Sequence, residues 1–269
     1  MALVSVNGCE LFVTEVGTGP PALVMHGGLG LDHTYLTPGL DQLGKLRRLH
    51  YYDHRGNGRS GRPPLETLSL RQLADDADGL RKSFGVDRIS VVGHSYGGFV
   101  ALEYAVTYPE RIDKLVLLDT APAGDYLNEL ATNARSRGAA DEILRFFESV
   151  PGTDEELAEL WLAFASIFFV NYDAGQFQEV MRRTIYCAAA ANASSESLMK
   201  WSAVDRLDRV TASTLVLTGR HDWITPPEQA ERLALGIPKA EVMIIEDAGH
   251  FPWLENPTAL SVVSQFLAC

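Results

Sequence analysis

The chain has 269 residues, 46% apolar and 22% charged, with a formal net charge of −12; this is ordinary globular usage at a length that buries a core without staples and suggests one or two domains. The acidic balance argues against nucleic acid or an anionic membrane as partner. Cys9, Cys187 and Cys269 are widely spaced with no CxxC, which argues against a disulfide framework or a zinc site. The N-terminal MALVSVNGCELFV has no basic n-region, and the most apolar window, Leu157 to Val170, carries Glu159 and is too short for a bilayer. The expectation is a cytoplasmic protein acting on a small molecule.

In chain order, the pattern begins with a hairpin: Leu3–Val6, an Asn7-Gly8 turn and Glu10–Val16. Ala22–Met25 reads as a buried strand, His33–Leu46 as a helix, Arg48–Tyr52 as a strand and Ser69–Phe84 as a helix. Ile89–Val92 is a strand, Ser95–Thr107 a helix and Lys114–Leu118 a strand. Strands alternating with helices imply βαβ units and a mainly parallel sheet, the α/β class. The rhythm then stops. From 121 to 210 the patterns are helical, with Leu157, Trp161, Phe164 and Phe168 on one helix face. It resumes with Thr214–Thr218, Pro226–Leu235, Glu241–Ile245 and Pro257–Phe266; Thr225 to Glu228 fits a capping box, and Asn256 an N-cap before proline. The organisation expected is a core of 1–120 and 211–269 interrupted by a helical cap, 121–210.

Ile89 to Gly98 contains G-x-S-x-G (Gly93, Ser95, Gly97) between a predicted strand and a predicted helix, the context that motif requires. A nucleophile there sits on a sharp turn, and side chains two residues either side would collide. A serine hydroxyl needs an adjacent, oriented base. Downstream histidines are His221 and His250 only. His250 follows the last strand, where a loop can return it over the sheet; His221 reads as a surface residue. Asp222, on the loop after Thr214–Thr218, is the candidate acid, with Asp119 and Asp247 as rivals. Oxyanion donors are expected from the backbone of Tyr96 and of Gly28 or Leu29, in the His26-Gly-Gly-Leu-Gly30 loop. The run Gly56-Asn-Gly-Arg-Ser-Gly61 matches GxGxxG, but Arg62-Pro-Pro cannot open a dinucleotide-binding helix. It reads as a turn tied by Asp53 and Arg55, in a basic stretch expected to be solvated.

These motifs occur in the order found in α/β-hydrolases over residues 3–120 and 211–267, and the HGG and D-x-R-G-x-G-x-S loops (His26–Gly28; Asp53–Ser60) most resemble the proline iminopeptidase branch. The resemblance implies a hydrolase free of metal and cofactor, with a helical cap after the strand that follows the nucleophile. Two departures stand out. Leu29 replaces a proline common in that branch, and Trp223 follows Asp222 where aminopeptidases need acidic groups to hold a free α-amine. The cap carries Glu142, Glu148, Glu155, Glu156, Glu159, Glu179 and Glu196, which as helix-surface acids are normally just solvated. Trp161, Phe164 and Phe168, with Trp223, Phe251 and Trp253, suggest an apolar acyl or alcohol pocket, or cap–core packing.

The function expected is hydrolysis of a small ester, lactone or amide through an acyl-enzyme. The alternatives are a carbon–carbon bond hydrolase of ring-cleavage products using the same triad, and a non-catalytic receptor of the same fold.

Overall fold

The computed structural model describes residues 1–139, 151–171 and 173–268, so Glu142, Glu148 and Cys269 lie outside the described residues. Strands β1 (Ala2–Val6) and β2 (Cys9–Val16) make the expected hairpin, turning through Asn7 at φ 47° and Gly8 at φ 74°. Paired left-handed residues match the twist of the strands they join. β3 (Pro21–Met25), β4 (Arg48–Tyr52), β5 (Ile89–His94), β6 (Ile112–Leu118), β7 (Ser213–Gly219) and β8 (Ala240–Ile245) complete one sheet. Its order is β1-β2-β4-β3-β5-β6-β7-β8, antiparallel through β1, β2 and β4 and parallel from β4 onward.

The helices are α1 (Leu70–Ser83), α2 (Tyr96–Thr107), α3 (Leu130–Ser136), α4 (Asp154–Phe168), α5 (Ala174–Met181), α6 (Ala188–Met199), α7 (Pro227–Gly236), α8 (Pro252–Glu255) and α9 (Pro257–Ala268), besides short 3-10 turns. Between β6 and β7 the described residues are helical, with one isolated bridge, Ala123 to Ser202. Strand alternation divides the core. Leu23, Met25, Leu115 and Leu117 pack against α1 and α2; Ala22, Val24, Val116 and Leu118 pack on the opposite side with Leu36, Leu43 and α9. No helix among the described residues is long and apolar enough to cross a membrane.

Three local expectations are corrected. Residues 33–46 are not one helix: Pro38 (ψ 114°) and Gly39 (φ 92°) break it into 3-10 turns and a kinked helical turn. Thr225 does not cap α7; Pro226 holds that position, and the Thr225 hydroxyl instead donates to Asp222 Oδ2 at 2.6 Å. The basic run is only partly solvated: Arg55 is buried against an acid distant in sequence, whereas Arg59 and Arg62 are exposed as expected. Arg55 pairs with Asp76 at 2.5 Å, and Arg59 reaches Asp32 at 2.7 Å. The turn itself is tied by Asp53, which accepts from the Arg59 amide at 2.8 Å and the His33 amide at 3.1 Å.

Packing beneath the β5–α2 turn leaves no room for a side chain. A Cβ on Gly97 would stand 2.1 Å from the Met25 carbonyl oxygen and 2.6 Å from that of His26. Backbone cannot yield as a side-chain tip does. Gly97→Ala is therefore expected to lose at least ~2–3 kcal/mol, and Gly85→Ala, strained at φ +70° but with open space around it, only ~1 kcal/mol. Chemical denaturation of both variants checks the order.

Candidate active site

Ser95 begins α2 at the carboxyl end of β5, with φ 52° and ψ −118°. Such a conformation costs a non-glycine residue ~1–3 kcal/mol and persists only where surroundings over-determine it. They do here: the Ser95 amide donates to the Leu118 carbonyl at 2.9 Å, and the Ser95 carbonyl accepts from Gly98 N at 2.8 Å and Thr120 Oγ1 at 2.9 Å. A Cβ on Gly93 would meet the Gly97 oxygen at 2.5 Å, so both motif glycines are steric requirements. The result is a half-buried serine at the N-terminus of a twelve-residue helix, where anionic charge is favoured.

His250 lies on the loop after β8 and is buried; its Nδ1 is 2.8 Å from Asp222 Oδ2. Asp222 lies on the loop after β7. Its Oδ1 accepts from Ile224 N at 2.8 Å and Thr225 N at 3.2 Å, and its Oδ2 also takes the Thr225 hydroxyl. That donor set suits an ionised carboxylate, and an ionised acceptor assigns the proton to Nδ1 and leaves Nε2 as acceptor. His250 and Ser95 Oγ are not hydrogen-bonded to each other. Of the rivals, Asp247 and His221 are exposed on the surface. Asp119 is fully buried beside Asp222, and burial together with the Asp222 charge pushes its carboxyl well above the usual range. Asp119, Asp222 and His250 bring their ligand atoms within 4.8 Å of one another, a cluster that a cation could also use.

The loop after β3 approaches from the other side. A Cβ on Gly27 would sit 2.8 Å from Ser95 Cβ, and its N–H is already taken by the Tyr35 hydroxyl at 2.6 Å. Gly28 follows at φ +62°. Leu29 is half-buried against the cluster Leu157, Ala188 and Ala191, on which Trp161 and Tyr186 also pack. Tyr96 stands at the first residue of α2 with its side chain buried. His26 orders this loop: one ring nitrogen meets the Gly27 oxygen at 2.9 Å and the other accepts from His54 N at 3.0 Å.

Two connections were not legible in the motifs. Tyr35 Oη lies 2.8 Å from His94 Nδ1, and His94 Nε2 lies 3.0 Å from the His250 carbonyl oxygen. Burial, and secondarily the nearby His250, keeps His94 neutral. Neutrality makes it an Nδ1 acceptor and an Nε2 donor, so one hydrogen-bonded path joins the Gly27 amide to the His250 backbone. The position of His94 inside the motif was the only available signal. Glu255 is the second: its Oε2 accepts from Gly249 N, and its Oε1 from Val170 N and Asn171 N, at 2.5, 2.5 and 3.2 Å. It clamps the end of α4 to the histidine loop.

The aromatic candidates gather around the same clamp. His250 N donates to the Phe168 carbonyl at 3.0 Å, and Trp223 Nε1 donates to the Ile167 carbonyl at 3.1 Å. Phe168 stacks on Trp223 with centroids 6.0 Å apart and also touches Phe164 and Phe251; Trp253 lies edge-on to His94 at 4.7 Å. Phe164, Phe168, Trp223, Phe251 and Trp253 are buried, whereas Trp161 is half-exposed. Phe168→Ala is accordingly expected to cost ~3–5 kcal/mol of stability, measured by denaturant unfolding; a loss below 1 kcal/mol would show that the ring is not core.

The chain belongs to the alpha/beta hydrolase fold family, whose model matches residues 20–257. It is an enzyme of the α/β hydrolase class. Similar curated proteins include the proline iminopeptidase PfmaB of Pestalotiopsis fici, 29% identical with 94% of each chain covered. Another is the putative carbamate hydrolase RutD of Serratia proteamaculans, 27% identical over 86% of this chain and 84% of that one. Among solved structures, a thermophilic esterase from Thermogutta terrifontis superimposes with a TM-score of 0.75 at 28% identity, covering 98% of this chain and 96% of the other.

Proposed function

We propose that the chain is a serine hydrolase of small acyl compounds, with Ser95 as nucleophile, His250 as general base and Asp222 as its orienting acid. The observation that carries the reading is the buried His250–Asp222 pair, whose histidine packs on His94, the residue before a serine in a strained strand-to-helix turn. With Nδ1–H bonded to Asp222, His250 Nε2 is free to take the Ser95 proton as Oγ attacks the carbonyl carbon. The oxyanion meets the backbone N–H of Tyr96 and of Gly28 or Leu29. His250 returns the proton to the leaving group, an acyl-Ser95 ester remains, and water repeats the sequence in reverse. The similar proteins named above cleave, by their names, ester, carbamate or peptide-type acyl bonds, which accords with this class.

Within the class, an ester or lactone with an apolar acyl portion is favoured over a peptide with a free α-amine. Glu155, Glu156, Glu159, Glu179 and Glu196 are all exposed; Glu156 is spent on the α4 capping box, and Glu179 pairs with Arg182 and Arg183. The segment 121–210 is the cap in this reading. Its half-buried Trp161, which packs against the same Leu157–Ala188–Ala191 cluster as Leu29, is the residue we assign to the acyl chain.

A fluorophosphonate probe should label wild-type protein and not Ser95→Ala, and Ser95→Ala should lose ~10³-fold or more in kcat on an activated ester. Asp222→Asn should also lose heavily, toward the ~10⁴-fold seen when a triad acid becomes an amide. Unchanged hydrolysis by purified Ser95→Ala removes the reading. A panel of p-nitrophenyl esters, lactones, ring-cleavage products and proline-naphthylamide then separates the subclasses.

If Trp161 meets the acyl chain, Trp161→Ala shifts chain-length preference in kcat/KM by ~1–3 kcal/mol per methylene. An unmoved preference places it in packing alone.

A further inference from the structure

Asp119 follows β6 directly, as Asp222 follows β7 by a few residues, and parallel pairing of these strands brings both carboxyls to one buried place. Asp119 is held at φ 46°, with its amide donating to the Leu217 carbonyl at 2.9 Å. Its Oδ1 accepts from Thr218 Oγ1 at 3.2 Å and Gly219 N at 3.0 Å. Its Oδ2 is buried without a hydrogen-bond partner. The groups facing it are Asp222 and His250, all within 4.8 Å through their ligand atoms, and near Asp222 the buried Tyr126 hydroxyl. Beyond Tyr126 stands the Asp125–Arg232 pair. Among the described residues no arginine or lysine is ion-paired with Asp119 or Asp222.

Two ionised carboxylates this close, buried and without a cation, repel strongly, and such a pair keeps one proton between them. Asp222 receives four donors and suits the charge; Asp119 receives two and has an oxygen with nothing to accept. We propose that Asp119 carries this proton as a neutral acid and is a positioning residue, donating toward Asp222 so that a single negative charge stands behind His250. This rests on the proposed Ser95–His250–Asp222 reading. When His250 takes the Ser95 proton, its one positive charge then faces one negative charge rather than two. Burial and the Asp222 charge act on Asp119 in the same direction.

The test has two readouts, one independent of activity. In protein carrying ¹³C-carboxyl aspartate, isotope-edited infrared spectra at neutral pH should contain a protonated-carboxyl band that Asp119→Asn abolishes. No such band in the wild type, or a band that survives the substitution, overturns the proposal. Asp119→Ser serves for the same subtraction should the asparagine variant not fold. The second readout is the acid limb of kcat/KM, which reports protonation of the free enzyme's base. Asparagine replaces a neutral acid by a neutral amide, so the limb should stay in place. An ionised Asp119 would predict the reverse: losing its charge lowers the limb by about one unit or more. A tightly bound metal, found by elemental analysis and lost with Asp119→Asn, would likewise overturn it. Retained hydrolysis in Ser95→Ala defeats the functional reading instead, and leaves the infrared result standing or falling by itself.

Discussion

The positive φ at Ser95 is where the demands of fold and chemistry meet. A strand that must become a helix without an intervening loop turns so sharply that its corner residue enters the left-handed region. The neighbouring turns then close on backbone alone, with the Met25, His26 and Gly97 carbonyls standing where side chains on Gly97 and Gly93 would be. The strain is sustained by hydrogen bonds to Leu118, Gly98 and Thr120, two of which lie on or just beyond β6. The sheet's parallel register thus holds the corner, and the same register delivers Asp119 and Asp222 to one edge. A single topological fact fixes the backbone of Ser95 and where the carboxylates collect, the familiar location of sites in parallel sheets.

The second support is a polar path through the interior. Gly27 N, Tyr35 Oη, His94 and the His250 carbonyl form a continuous series at 2.6, 2.8 and 3.0 Å. Its direction is set because His94 is neutral and Tyr35, raised by burial, keeps its proton. Buried networks of this kind specify geometry when every member is satisfied. Here the network couples the glycine loop beside Ser95 to the backbone of the histidine, so displacement at one end disturbs the other.

Much of this was legible in the sequence because it is local. G-x-S-x-G between a strand and a helix has one structural meaning, and the strands were found to within one or two residues because their apolar runs are short and bounded. What failed was long-range. Arg55 reads as a tie for its turn, but its burial against Asp76 is not legible because that acid lies 21 residues away, beyond any local pattern. Thr225 followed three residues later by Glu228 fits a capping box, yet the hydroxyl finds a charged acceptor in Asp222, and a bond to a carboxylate outweighs one to a backbone amide. Residues 33–46 read as one helix, but Pro38 lacks a backbone donor and Gly39 takes a positive φ, so the helix breaks there. Asp119 was recognised as a rival acid from its place after a strand, but its missing partner at Oδ2 exists only in three dimensions.

The way the helical segment is fastened bears on how specificity can be altered. It is tied to the core at both flanks of the candidate site: the Phe168 and Ile167 carbonyls bond to His250 N and Trp223 Nε1, and Cys187 N bonds to the Gly30 carbonyl. No side chain fits at Gly249 or Gly30, where a Cβ would stand 2.0 Å from the Phe168 oxygen and 2.5 Å from the Cys187 oxygen. The buried rings between these ties hold the segment and the histidine loop in one packing unit, so enlarging or trimming them changes stability and geometry together. Leu29, half-exposed, packs outside that ring cluster, whereas Trp161 lies 5.6 Å from Phe168 and Tyr186 bonds to the Met181 carbonyl, so both share the constraint. Under the proposed acyl-hydrolase reading, Leu29 is therefore the position at which substrate preference would change without disturbing the rings, while a substitution at Trp161 or Tyr186 would also act on the packing that keeps His250 in place.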